Sequence, residues 1–425
     1  MKILVIVVLI GVVFGKHEVY EGWKSFYVGP STDKQFKALQ EATDILDLDF
    51  LSRPIINRDG LVLVKPESQE KFMQILNEFN IPHLVHSDDI KSALDEEDKV
   101  LAARKASKEF NFPYHEYQEI EYIDAYLIDI AKRFPNTVKL VEAAKTPEGR
   151  VIRYLKISST NFEDKRKPVI VIDGGIHARE WIAPPVVTYA IHKLLEDVSD
   201  KDALISFDWI LLPVVNPDGY KYTFSTYRFW RKTRSTDNSV LSNICPGVDG
   251  NRNYDFFWNT VGSSSNPCTD TYAGSKAFSE VETRVVRDIL NENLPRIALY
   301  LTMHSYGSMI LYPWGHDGTL SQNALALQLV GVAMAEAIED KKLPNFPNYT
   351  VGNSMLTLRY GASGASEDYA HSIGVPLAYT VELPGLAGGL NGFHLDPQYI
   401  QQVVKETWGG IMVGARKAGD LFSKK

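Results

Sequence analysis

The chain has 425 residues, 44% hydrophobic and 23% charged, with a formal net charge of −8. That length points to two or three domains rather than one. The acidic balance excludes a nucleic-acid binder, which needs a basic face, and no run approaches the roughly 20 apolar residues of a membrane span.

Residues 1–15 read as a secretory leader. Lys2 supplies the positive end, an apolar run extends from Ile3 to Phe14, and Val13 and Gly15 are small enough for cleavage after Gly15. The expected product is soluble and exported, with no membrane partner. Nothing in the chain demands more than a monomer.

Residues 16–108 carry a small pattern of their own. Strands are expected at residues 25–28, 60–64 and 82–85 and helices at residues 33–42 and 68–79, with Ser68 as the second helix's N-cap. Closed as a four-stranded antiparallel sheet, this is a small ferredoxin-like α+β module. A charged helix at residues 88–108 follows, with the acidic run Asp95-Glu96-Glu97-Asp98 and then Arg104, Lys105 and Lys108. Such a run is usually a solvated face. Between a compact leading module and the main domain it fits better as a connector that trypsin-like proteases cut.

Residues 109–425 alternate strands and helices, which predicts an α/β/α sandwich on a mixed, mostly parallel twisted sheet. Helices are expected at residues 122–133, 185–197 and 323–339, and strands at 138–143, 151–157, 169–172, 209–215, 297–303 and 377–381. Ser279 and Glu282 have capping-box spacing before a helix to residue 291, and Asp396-Pro397 opens the closing helix.

The chain is organised around residues 168–185. There a fully apolar strand breaks at Gly174-Gly175 and is followed at once by His177 and Glu180. Open α/β sheets keep their ligands beyond the carboxyl ends of central strands. A catalytic zinc takes three protein groups and leaves one position open. Two more strand ends complete the set: residues 297–303 run into His304-Ser305-Tyr306, and residues 377–381 run into Glu382. His177, Glu180 and His304 are the candidate metal ligands for one zinc per chain. Asp249 is a candidate acceptor for the second nitrogen of one imidazole. Glu382 is placed to act as the general base, taking a proton from attacking water and passing it to the leaving amine.

His177-Ala178-Arg179-Glu180-Trp181, Asn216-Pro217-Asp218-Gly219-Tyr220, Tyr227-Arg228-Phe229-Trp230-Arg231, Asp249-Gly250-Asn251-Arg252-Asn253, His304-Ser305-Tyr306 and Thr380-Val381-Glu382 occur in that order. With these motifs the chain resembles the secreted zinc metallocarboxypeptidases of the A/B family, from the leading module to the C-terminus. The resemblance implies an exopeptidase made as an inactive precursor, with the leading module across the cleft until the linker is cut. Asn251, Arg252 and a mobile tyrosine, Tyr360, would hold the substrate's terminal carboxylate, a task suited to a bidentate guanidinium. Arg231 would stabilise the oxyanion, and Arg179 and Arg228 would lie along the peptide's path. Ser305, Tyr306 and Phe393 would line the binding region.

By the same resemblance, the residue seven after the mobile tyrosine selects the departing side chain, with aspartate there favouring Lys and Arg. Here it is Glu367. A desolvated carboxylate without a partner asks for a cation, unless it turns aside to solvent or meets an internal cation. Its extra methylene leaves less depth and favours lysine over arginine. Met355 and Gly315 are expected to help line this pocket. The link Pro384 to Gly392 before Phe393 is longer and richer in glycine than the family's segment, which puts the pocket rim in question. The only cysteines, Cys245 and Cys268, are expected to pair in an oxidising compartment, which stabilises by about 3 kcal/mol in a chain-entropy account. Asn348-Tyr349-Thr350 is a sequon. The family implies digestion in a gut lumen, peptides with free C-termini as substrates, an activating trypsin-like protease and protein inhibitors as partners. The rival reading, an inert binding module of the same fold, needs a broken metal set or a missing base, and neither is missing. Apolar or acidic preference with the same chemistry is the other alternative.

Overall fold

The computed structural model describes residues 16–107, 114–385 and 392–422. The leader, Lys108 and most of the glycine-rich link therefore lie outside the described residues.

The first sheet comprises β1 (Lys24–Val28), β2 (Asp49–Ser52), β3 (Gly60–Val64) and β4 (His83–Ser87), in the antiparallel order β2-β3-β1-β4. Helices Asp33–Leu46 and Pro66–Glu78 bury Leu39, Phe72 and Leu76 against Phe26, Val28, Val62 and Val64 of this sheet. This is the ferredoxin-like arrangement expected. β2 has no strand signature: it is four residues long, begins with Asp and buries only Leu51. Ser68 is not an N-cap. The helix starts at Pro66, whose fixed φ suits the first helical turn, and Ser68 Oγ donates to the Leu46 carbonyl at 3.1 Å.

The second sheet comprises β5 (Val138–Lys145), β6 (Val151–Ile157), β7 (Val169–Gly174), β8 (Asp208–Leu212), β9 (Ile297–Ser305), β10 (Met309–Tyr312), β11 (Thr350–Asn353) and β12 (Ala378–Leu383). Its order is β11-β10-β12-β9-β7-β8-β6-β5. The centre, β8-β7-β9-β12, is parallel, as is β10 with β11, while β5–β6, β6–β8 and β10–β12 are antiparallel. β7, β8 and β9 are buried along their whole length, which is why they read as unbroken apolar runs: both faces are covered. Helices Ile120–Arg133, Ala183–Leu195, Ala324–Glu339 and Ile400–Phe422 cover one face, and Val281–Asn293 with Ser366–Ser372 cover the other.

Helix ends show where local patterns fail. Asn216 caps Pro217–Ser225 by accepting from Gly219 N, and Asp396 accepts from Gln398 N just ahead of the closing helix. The capping box at Ser279 does not form. The helix starts at Val281, Ser279 Oγ donates to Glu280, and Glu282 turns inward with neither carboxylate oxygen partnered among the described residues. Burial pushes the Glu282 carboxyl well above its usual range.

The two sheets meet through an aromatic seam in which Tyr20, Trp23 and Leu51 pack on Phe229 and Phe393. Tyr20 is wholly buried, and its hydroxyl accepts from Phe229 N at 2.9 Å. The acidic run on helix Ile90–Ser107 is not simply solvated. Glu97 pairs with Arg228 at 3.2 Å and His394 at 2.9 Å, and Asp98 meets Lys16 and His17. No helix among the described residues is long and apolar enough to cross a membrane.

Candidate active site

β7, β9 and β12 lie side by side, with Glu382 in register with His304 and Gly174 with Met303. The carboxyl ends of these interior strands therefore bring His177, Glu180, His304 and Glu382 together at one end of the sheet. The backbone leaves β7 through Gly175 at φ +67°, a left-handed turn that glycine takes without strain.

His177 Nδ1 lies 2.8 Å from Glu180 Oε1, His304 Nδ1 3.0 Å from Glu180 Oε2, and the two Nδ1 atoms 3.1 Å apart. These are near the ~3.3 Å edge of a tetrahedron with bonds of ~2.0–2.1 Å, and two imidazoles with one carboxylate are an ordinary zinc donor set. All three residues are buried, and the donor set fits the metal. Asp249 Oδ1 sits 3.0 Å from His177 Nε2, so Nδ1 is the nitrogen left for the metal. The other oxygen of Asp249 accepts from Arg231 Nε and Nη2 at 3.1 and 2.9 Å. One carboxylate therefore orients both a ligand and the guanidinium beside it. Although burial opposes it, the charges of Arg231, Arg252 and His177 hold Asp249 well below the usual range.

A cavity of about 370 Å³ opens at these strand ends. His177, Glu180, His304, Arg179, Arg231, Asn251, Arg252, Ser305, Tyr306, Tyr360, Glu367, Glu382 and Phe393 all line it, as expected from sequence. Glu382 stands at its wall, and burial raises its carboxyl to about 7. Arg252 is braced on the carbonyls of Gly262 and Asn251 at 2.9 and 2.7 Å, and Asn251 Oδ1 accepts from Ser366 N. Glu367, in the lining, is 4% exposed, and its Oε2 has no partner among the described residues. Burial, then the charge of Asp368, raise its carboxyl to about 7. Thr380 and Ser305 also line the cavity, and Ser305 Oγ has no partner among the described residues.

Two expected residues are placed elsewhere. Arg228 does not line the cavity. Its guanidinium lies 3.6 Å over Trp181 and donates to the carbonyls of Arg179 and Phe393, so it braces the rim from behind. Met355 is also outside the lining, packed near Gly318, whereas Gly315 does line the pocket. Cys245 and Cys268 are bonded, as expected.

The leading module lies across the cleft as the resemblance implies, but the residues by which it does so were not legible from sequence. Asp49 on β2 accepts from Arg179 Nη1 at 2.8 and 3.1 Å, and the Arg53 guanidinium lies 5.4 Å over the Tyr360 ring. Both residues line the cavity, so the module lies across it. Asp173, Tyr300 and Thr302 beside His304 were also missed. A carboxylate inside an otherwise apolar strand was the signal available for Asp173.

Residues 26–97 match the family described as carboxypeptidase activation peptide, and residues 123–410 match the family described as zinc carboxypeptidase. The chain belongs to the zinc carboxypeptidases. It is 62% identical over 429 residues to a protein named carboxypeptidase B from Helicoverpa zea, covering 100% of both chains, and 32% identical to carboxypeptidase B of Rattus norvegicus, covering 96% of both. It is also similar to the crystal structure of carboxypeptidase A from Helicoverpa armigera, with a TM-score of 0.92 and 43% identity over 96% of this chain and 100% of that one. This carboxypeptidase accordingly uses zinc, and its first sheet is an activation peptide.

Proposed function

We propose that this carboxypeptidase is a secreted zymogen. Freed of its activation peptide by a trypsin-like protease, it removes C-terminal lysine and arginine from peptides and favours lysine. The A and B names among its relatives leave the side-chain preference open. The observation that carries the basic reading is Glu367, buried in the cavity lining with Oε2 unpartnered among the described residues. No lysine or arginine among those residues is placed on it, so a substrate cation is the group that would satisfy it.

The residues divide the work as follows. Arg252, Asn251 and Tyr360 hold the terminal carboxylate, and Glu367 with the Thr380 hydroxyl receives the side-chain cation. His177, Glu180 and His304 hold zinc, which when bound polarises the scissile carbonyl and the attacking water. Glu382 takes the proton from that water and returns it to the leaving amine nitrogen. Arg231, fixed by Asp249, donates to the oxyanion as charge develops there. Digestion of peptides already cut by a trypsin-like protease suits this preference, because such cuts leave basic C-termini.

The deciding experiment offers the trypsin-treated protein one peptide series ending in Lys, Arg, Leu, Phe or Glu, with and without a chelator. Chelator-sensitive release of Lys and Arg is expected. Release of Leu or Phe instead keeps the enzyme and overturns the pocket reading, and no release after confirmed cleavage revives the inert binding module. Glu367→Lys should move the preference toward acidic termini.

A further inference from the structure

His177 has a carboxylate on its second nitrogen, but His304 does not. Its Nε2 lies 3.2 Å from Thr302 Oγ1, whose proton is committed to Asp173 Oδ1 at 2.7 Å. The other oxygen of Asp173 accepts from the Tyr300 hydroxyl at 2.7 Å. All four residues are buried: Asp173 is 3% exposed, and Tyr300, Thr302 and His304 are 1% or less. The parallel register of β7 with β9 sets Asp173 opposite Thr302. A hydroxyl has one proton. With it on Asp173, Thr302 meets His304 only as an acceptor, so Nε2 must carry hydrogen and Nδ1 keeps its lone pair. Nδ1 is the nitrogen that faces Glu180 and His177.

We infer that Thr302, backed by Asp173, is a positioning residue for His304: it fixes the tautomer and ring orientation in which Nδ1 binds zinc. The arrangement is the relayed counterpart of the direct contact between His177 and Asp249. Tyr300 closes the set by occupying the second carboxylate oxygen, which leaves Asp173 turned toward Thr302. The inference rests on His177, Glu180 and His304 being the zinc ligands.

The test is zinc affinity of the full chain, measured by competition with a chromogenic chelator, for wild type, Thr302→Val, Thr302→Ser and His304→Ala. Valine keeps the shape and loses the acceptor; serine keeps the hydroxyl. Loss of an outer hydrogen-bond partner of this kind costs 10–100-fold in metal affinity. The expected result is a fall of that size for Thr302→Val, near wild-type affinity for Thr302→Ser and loss of tight binding for His304→Ala. Wild-type affinity in Thr302→Val, or equal losses in the valine and serine variants, overturns the relay. Retained tight binding in His304→Ala instead overturns the ligand reading beneath it. Should Thr302→Val not fold, ¹⁵N-histidine spectra of the zinc-loaded wild type still decide. His304 Nε2–H should be hydrogen-bonded and slow to exchange, and a freely exchanging proton there overturns the inference.

Discussion

Glu367 and Glu382 share a cavity, and burial raises both carboxyls to about 7, yet their tasks separate in experiment. In its proposed role Glu367 binds a cation only when ionised. Relative to a peptide ending in leucine, kcat/KM for one ending in lysine should fall as pH drops through about 7, approaching tenfold per unit. The ratio cancels Glu382, whose proposed role is the same for both substrates. A flat ratio from pH 8 to pH 5 would exclude Glu367 as the side-chain receptor. Glu382→Gln should lower kcat by roughly 10²–10⁴-fold, the scale of lost acid–base catalysis, with bound zinc unchanged by elemental analysis. Glu382 was legible as the end of an apolar strand, whereas Glu367, on the helix Ser366–Ser372, was reached only through the family resemblance. Arg228 was not legible: its motif marks it as cationic, but its place behind the rim depends on the face of Trp181, which no spacing reports.

Strands and turns carry the site, and their limits follow from what each local pattern encodes. β7, β8 and β9 were readable because full burial leaves unbroken apolar runs. β2 was not, since a short edge strand needs little apolar residue of its own. Gly392 shows how an element can depend on close approach: a Cβ there would lie 1.9 Å from Tyr306 Cε1. Gly392→Ala should therefore cost about 1–3 kcal/mol of stability, the usual scale of overpacking, read by chemical unfolding. It should also disturb the Tyr306–Phe393 ring contact at 5.2 Å. The Cys245–Cys268 bond spans 23 residues and ends two residues before Asp270, a partner of Arg179. Replacing both cysteines by serine should destabilise by about 3 kcal/mol.

At the scale of the whole molecule, the activation peptide is held by charges in the cleft and behind its rim. Asp49 occupies Arg179, and Glu97 sits between Arg228 and His394. Asp49→Ala should raise the uncleaved protein's hydrolysis of a small substrate several-fold. The cleaved enzymes should be indistinguishable, because Asp49 leaves with the peptide. Equal activity of the two uncleaved proteins would show that the pair does not restrain the cleft. Burial opposes ionisation of Glu97, but His394 and Arg228 outweigh it and lower its carboxyl from the usual 4.5 to about 2. A depressed carboxyl stabilises the fold above its unfolded value and loses that contribution as pH falls. The full chain should therefore lose melting temperature between about pH 4.5 and pH 2, with a shallower loss in Glu97→Gln.

By itself the sequence pointed to the sandwich, the leading module, the candidate ligand set His177, Glu180 and His304, and the candidate base Glu382. Each rests on a strand end or a short motif, where backbone geometry fixes which side chains face one place. Only the tertiary structure decided that Asp49 and Arg53 reach the cleft and that Arg228 stands behind it. It also decided that Asp173 meets Thr302. Those contacts join residues far apart in the chain, and their partners are chosen by sheet register and domain packing, which hydrophobic periodicity does not encode.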